Sequence, residues 1–213
     1  MQPATLIDDQ PISATFFGEG RWLTDFVTPN ALDIQALHKD ITEGLDTLDE
    51  RLVALHDWVA CNIKYTRFVK GKLWVGGKSS AQDDLWSMPS ITARVKIGNC
   101  ANMSFLLASL VRNELPANQV YCVLGNLYNG KPGGHCWVQA RLRGADYIME
   151  STRADAPPMV PVTAADRYEV VHLFNDQEAY AIEGKTVMEP FTMCYSTWLR
   201  DYLDWAYIKG RKG

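Results

Sequence analysis

The 213-residue chain has no apolar run long enough to span a bilayer, and no basic start followed by an uninterrupted apolar stretch. Neither a membrane span nor a signal peptide is therefore expected, and the expected location is cytoplasmic. Cysteine is scarce: Cys61, Cys100, Cys122, Cys136 and Cys194 form an odd set of five with no short paired spacing. That argues against a disulfide framework and against a zinc knuckle, and it leaves at least one thiol free. An excess of positive charge is also missing. With 21 Lys and Arg against 25 Asp and Glu, the formal net charge is -4, so nothing electrostatic points to nucleic acid or an anionic membrane as partner. Repeats and low-complexity tracts are absent too. What is present, 47% hydrophobic and 22% charged residues, suits one globular domain over residues 1–213 with a sizeable core.

Residues 1–45 read as an N-terminal arm and lead-in. The first 30 or so mix aromatics with Gly and Pro (Phe16-Phe17-Gly18-Glu19-Gly20-Arg21-Trp22), which suits an extended arm. A core over 46–175 opens on Thr47-Leu48-Asp49-Glu50, a capping box. Leu52, Leu55, Trp58, Val59 and Ile63 then recur at helical spacing, predicting a helix from about Leu48 to Lys64. Val69 to Gly77 can form a hairpin, and Ser79 to Trp86 reads as loop. Asn99 is a good N-cap for a second, strongly apolar helix through Val111, with Pro116 beyond its end. Strands follow at Val120–Leu124, His135–Leu142, Tyr147–Glu150 and Tyr168–Phe174. Gly125 to Gly134 reads as a turn-rich link, and Arg143 to Asp146 as a tight hairpin turn. In the closing segment 176–213, Trp198, Leu199, Tyr202, Trp205 and Ala206 suggest an amphipathic helix. The expected fold class is α+β, a helical N-terminal half packed on an antiparallel β-sheet.

The chemistry concentrates in three places. Cys100 opens the apolar helix, where backbone amides and the positive end of the helix dipole favour thiolate and can donate to an oxyanion. His135 leads a strand, and an imidazole there can take the thiol proton and return it to a leaving group. Glu150 closes the hairpin partner of that strand, where a carboxylate can hold the imidazole's tautomer and stabilise the imidazolium. A single cysteine is more often a small buried hydrophobe, and a strand-end histidine or glutamate is more often structural. The ordered set carries the reading. Two competing patterns fall away. Gly76-Gly77-Lys78-Ser79 lacks the upstream glycine of a phosphate loop, since Lys72 stands there. His135 and Cys136 are strand neighbours that point to opposite faces, so they cannot serve one zinc ion together.

Gly98-Asn99-Cys100 opening a helix, the Val120–Gly125 strand, Gly134-His135-Cys136-Trp137-Val138 and Tyr147-Ile148-Met149-Glu150-Ser151-Thr152 together resemble the core of the transglutaminase-like superfamily. The resemblance covers about Leu52 to Thr152. It implies a papain-like cysteine site on a helix-plus-sheet core, with Cys100 as nucleophile, His135 as general base and Glu150 as third member. The family more often has Asp at the last position, and the longer Glu arm calls for a wider strand offset. Asp146 and Asp155 are the nearest substitutes for it. By analogy with polar or indole donors upstream of the cysteine, Gln82, Tyr65 and Trp86 are candidates for oxyanion or substrate binding; Trp137 is a candidate shield or substrate contact, and Trp74 a peptide-binding one. The implied activity is cysteine-dependent acyl transfer on peptide or protein amides, most simply hydrolysis by a thiol protease or amidase, with no metal or organic cofactor. The alternative is a non-catalytic binding or structural module of the same fold, and a third reading has the N-terminal arm sealing the site. The substrate, the choice among protease, amidase and transglutaminase, and the oligomeric state stay open at this level.

Overall fold

Thr47 and Glu50 form the capping box that the sequence suggests. The Thr47 side chain accepts from the Glu50 amide at 3.2 Å, while the Glu50 carboxylate accepts from the Thr47 amide at 2.9 Å. The helix they start runs over Leu48–Asn62 (α2) and buries Leu52, Leu55, His56 and Val59. The computed structural model describes residues 4–6, 15–16, 19–20, 22–66, 71–75, 78–82, 86–129 and 131–185, with side chains within 22–66, 86–129 and 133–185. Among the described residues three more α-helices, α1 (Leu32–Thr42), α3 (Pro89–Val95) and α4 (Cys100–Val111), join it in the helical layer. All the residues of α4 are buried, so the apolar helix is central.

The strands are β1 (Ala4–Leu6), β2 (Thr15–Phe16), β3 (Glu19–Gly20), β4 (Lys64–Tyr65), β5 (Gly71–Val75), β6 (Lys78–Gln82) and β7 (Ile97–Gly98), then β8 (Val120–Asn129), β9 (Lys131–Leu142), β10 (Ala145–Met149), β11 (Val160–Pro161), β12 (Tyr168–Phe174) and β13 (Ala179–Ile182). Seven of them form one sheet in the order β1-β13-β12-β8-β9-β10-β11. Every pairing in it is antiparallel. β9 and β10 are joined through Arg143 and Gly144, both at positive φ (51° and 81°), the conformation of a tight two-residue hairpin turn. The inner face of the sheet, with Cys122, Leu124, Cys136, Val138, Ala140 and Phe174, joins the main core with α4. A smaller cluster of Val123, Trp137 and Ile148 occupies the outer face, flanked by Tyr168, Val170 and Leu173. The architecture is the expected α+β one.

Local departures have local causes. Helix α1 lies in the stretch read as lead-in: only Ile34 is fully buried and Ala31 supplies no side-chain cap, so the sequence signal is faint. β5 and β6 pair Val75 with Lys78 and Gly71 with Gln82, so the hairpin extends into residues read as loop. The link between Gly125 and Gly134 is strand rather than turn, since β8 and β9 stay paired from Val120↔Ala140 to Asn129↔Lys131. Glycines weaken strand propensity, but cross-strand pairing overrides that here. The N-terminal residues enter the main sheet by β1, which pairs with β13 at the edge. The expected closing helix at Trp198–Ala206 lies outside the described residues. Among the described residues no helix is long and apolar enough to cross a membrane.

Candidate active site

The approach to α4 is held by backbone pairing. β7 runs parallel to β4, matching Lys64 with Ile97 and Tyr65 with Gly98, and the Thr66 amide donates to the Gly98 carbonyl at 2.9 Å. Gly98 must stay small, because a Cβ there would stand 3.0 Å from the Asn102 Cβ and 3.4 Å from Ile63 and Met103. Asn99 then caps the helix as the sequence suggests, its Oδ1 accepting from the Asn102 amide at 3.0 Å. Asn102 in turn accepts from the Ser87 amide at 2.8 Å, tying the loop before α3 to the helix start. Cys100 is thereby the first residue of α4, 8% exposed, in the turn whose amides have no intrahelical acceptor.

His135 sits on β9 opposite Gly125 of β8. Its Nε2 lies 2.6 Å from Glu150 Oε2, and the Cys100 side chain is the other group that acts on its ring. Burial works against a charged imidazole, but the bonds to Cys100 and Glu150 outweigh it and lift the His135 pKa to about 10. Trp137 stacks on the imidazole with ring centroids 6.1 Å apart and an interplanar angle of 25°, and Tyr168 meets Trp137 edge-on at 5.1 Å. Room for that indole comes from Gly125, where a Cβ would lie 2.5 Å from the Trp137 ring and 2.1 Å from the Glu169 carbonyl oxygen.

Glu150 follows β10. Met149 pairs with Val138, which brings Glu150 level with Trp137 and diagonal to His135. Diagonal neighbours across antiparallel strands are about 7–8 Å apart, a gap suited to the longer arm of glutamate. The Glu150 carbonyl accepts from His56 Nε2 of α2 at 2.9 Å, fixing the backbone. Its carboxylate Oε1 accepts from the Thr152 amide at 3.0 Å and the Thr152 hydroxyl at 2.6 Å, and Oε2 accepts from the Tyr168 hydroxyl at 3.1 Å. Burial would raise the Glu150 pKa, but the bonds from His135 and Thr152 prevail and hold it below the usual carboxylate value. The two other carboxylates weighed from sequence are engaged elsewhere: Asp146 by Arg141 at 2.8 and 3.0 Å, and Asp155 by Arg153 at 3.0 and 2.7 Å.

The structure thus brings Cys100, His135 and Glu150 together. Tyr65 lies level with Gly98, two residues before the thiol, and is 45% exposed, so it stands at the approach to Cys100. Two of the indoles weighed from sequence are enclosed. Trp86 offers no surface to a substrate: it is fully buried, packed edge-on against Phe26 at 5.4 Å and Phe105 at 4.9 Å. Trp137 is fully buried as well and backs the imidazole, the shielding place the sequence suggests. Gln82 ends β6 and Trp74 lies in β5, and the side chains of both are outside the described residues. Of the other cysteines, Cys122 and Cys136 are buried on the inner face with their sulfurs 3.4 Å apart, Cys61 is exposed, and Cys194 lies outside the described residues.

Sequence reasoning missed Thr152, Tyr168 and His56. His56 carried a faint signal, a polar residue on the buried stripe of α2; Tyr168 carried none, being 18 residues from the carboxylate it touches. Among the described residues no group of three or more His, Cys, Asp or Glu side chains gathers to hold a metal ion.

A family model, the Transglutaminase-like superfamily, matches residues 35–150. No curated protein matches the chain. Among solved structures, Legionella pneumophila LapG has a similar fold at 14% identity and a TM-score of 0.53, over 71% of this chain and 77% of that one. Its EGTA-treated form superposes with a TM-score of 0.54 at 13% identity, covering 82% of this chain and 85% of that one. The calcium-bound form of LapG gives 0.51 at 15% identity, covering 83% and 87%. At such identities the likeness is one of fold, whereas the family match spans more than half of the 213 residues. The chain belongs to the transglutaminase-like superfamily.

Proposed function

We propose that the protein is a cysteine-dependent acyl-transfer enzyme acting on peptide or protein amides, and that its reaction is hydrolysis by a Cys100–His135–Glu150 triad. The observation that carries this reading is the His135 imidazole set between the Cys100 side chain and the Glu150 carboxylate, which it meets at 2.6 Å. With its pKa raised to about 10, His135 holds at neutral pH the proton that the leaving amine needs, beside the sulfur that attacks. The sulfur adds to the amide carbonyl carbon, and the oxyanion that forms meets the Cys100 backbone amide at the start of α4. As the C–N bond breaks, the His135 proton passes to the leaving amine, leaving a thioester on Cys100 and a neutral imidazole. Water then adds to the thioester carbonyl and gives its proton to His135, the C–S bond breaks, and the acid is released with the thiolate–imidazolium pair restored. Glu150 stays ionised throughout and steadies the imidazolium.

The test compares thiols. Iodoacetamide at neutral pH, followed by intact and peptide mass measurement, is expected to modify Cys100 before Cys61, although Cys61 is exposed and Cys100 is 8% exposed. A peptide library incubated with and without a primary amine should show cleavage that Cys100→Ala abolishes. Modification of Cys61 first, together with no Cys100-dependent product, would overturn the proposal and favour a binding module.

A further inference from the structure

Aspartate has two side-chain torsions and glutamate three, so a glutamate that must present one oxygen to an imidazole loses more freedom and needs more holding. Around Glu150 that holding is visible. Oε1 is occupied entirely by Thr152, amide and hydroxyl, while Oε2 is shared between His135 and the Tyr168 hydroxyl. Thr152 is two residues beyond the carboxylate, so its bonds fold the side chain back toward its own backbone and turn Oε2 outward. Tyr168 comes from a distant strand, β12, and approaches across the imidazole, its ring centroid 6.3 Å from that of His135. Beyond His135, the Arg153 guanidinium also feels the Glu150 charge, but Asp155 already engages it, which leaves the neutral donors of Thr152 and Tyr168 to set the carboxylate's direction.

We infer that Thr152 and Tyr168 are positioning residues for the acyl-transfer site: they clamp the Glu150 carboxylate in the one rotamer that meets His135, and so allow a glutamate to fill a place the family more often gives to aspartate. This rests on the proposed triad. Thr152 acts on Oε1 alone and never touches the imidazole. Tyr168 acts on the oxygen that His135 uses and also walls the ring, so its removal disturbs both the carboxylate and the indole-backed pocket.

The experiment is a cycle of variants read in two ways. Thr152→Val, Thr152→Ser and Tyr168→Phe are made alone and in a Glu150→Gln background. The rate of Cys100 alkylation by iodoacetamide at pH 7 is measured with each, and the His135 ring nitrogens are followed by nitrogen-15 NMR across pH. A hydrogen bond to a charged group is worth about tenfold or more, so Thr152→Val is expected to slow alkylation about tenfold and Thr152→Ser to restore it. Tyr168→Phe is expected to slow it less, about threefold to tenfold, because Oε2 keeps its bond to His135. Both should displace the His135 titration. In the Glu150→Gln background neither change should slow the reaction further, because residues acting through one carboxylate are not additive. Slowing that adds in full to that of Glu150→Gln, or a Thr152→Val protein with wild-type rate and His135 titration, would overturn the inference. If wild-type Cys100 reacts no faster than Cys61, the acyl-transfer reading falls instead, and the His135 titration still decides whether Thr152 and Tyr168 hold Glu150.

Discussion

Cys100 and Cys136 are both buried thiols, and they occupy opposite kinds of surroundings. Cys100 opens α4 and faces His135, a base whose charge is held up by Glu150. Cys136, next to His135 in sequence, points to the other face of β9, where it meets the Cys122 sulfur at 3.4 Å and the Ser104 hydroxyl, one turn along α4 from Cys100. Burial first, and then the Cys122 thiol, push the Cys136 pKa well above the ordinary value. One residue of strand therefore separates an imidazole that faces the Cys100 thiol from a thiol that faces the core. Burial alone does not distinguish the two cysteines; the charge and direction of the neighbouring groups do.

That contrast can be broken at its strongest point by His135→Ala. Removing a positioned proton-transfer group costs typically about 10²–10⁴-fold, so Cys100 alkylation at pH 7 should fall at least a hundredfold, to or below the rate at Cys61. A Cys100 that keeps its rate without the imidazole would show that the helix end alone activates it. A second measurement sharpens the electrostatic half. The His135 pKa is raised, so the pair's contribution to folding stability is full below about pH 6.5, the ordinary histidine value, and is lost as pH rises through about 10. Glu150 is depressed, so its own contribution is present above the ordinary carboxylate value and is lost as pH falls through its lowered one. Urea unfolding across pH should thus show wild-type stability declining from about pH 6.5 to 10 relative to Glu150→Gln; parallel curves would contradict the coupling. The smallest effect is expected on the inert side. Cys136→Ala empties a small volume in the core and should cost about 1–2 kcal/mol by thermal or urea unfolding, while Cys100 alkylation stays within about twofold. A large loss of Cys100 reactivity there would mean that the inner face of β9 governs the site after all.

Much of this was legible in the chain. Thr47 and Glu50 announced α2, and Asn99 announced the start of α4, because a cap is a local device whose residues lie within one turn of each other. The alternation along β9 separated His135 from Cys136 correctly, since strand period is set by the backbone. Trp86 and Trp137 were open for the opposite reason: an indole can pack in a core, shield an imidazole or lie under a substrate with the same sequence around it, and only packing against Phe26, Phe105, His135 and Tyr168 shows where each one sits.

By itself the sequence determined the elements of the helical layer that carry caps, the α+β class, the family, and the order of thiol, imidazole and carboxylate, all of which follow from period, capping and local motif. Only the tertiary structure decided which carboxylate faces His135 and what holds it there. Register between β9 and β10 places Glu150 on the diagonal, the hairpin turn leaves Asp146 with Arg141, and β12 carries Tyr168 in from 18 residues away. These are pairings between segments, and no local spacing encodes the distance between two side chains that meet only when the sheet closes.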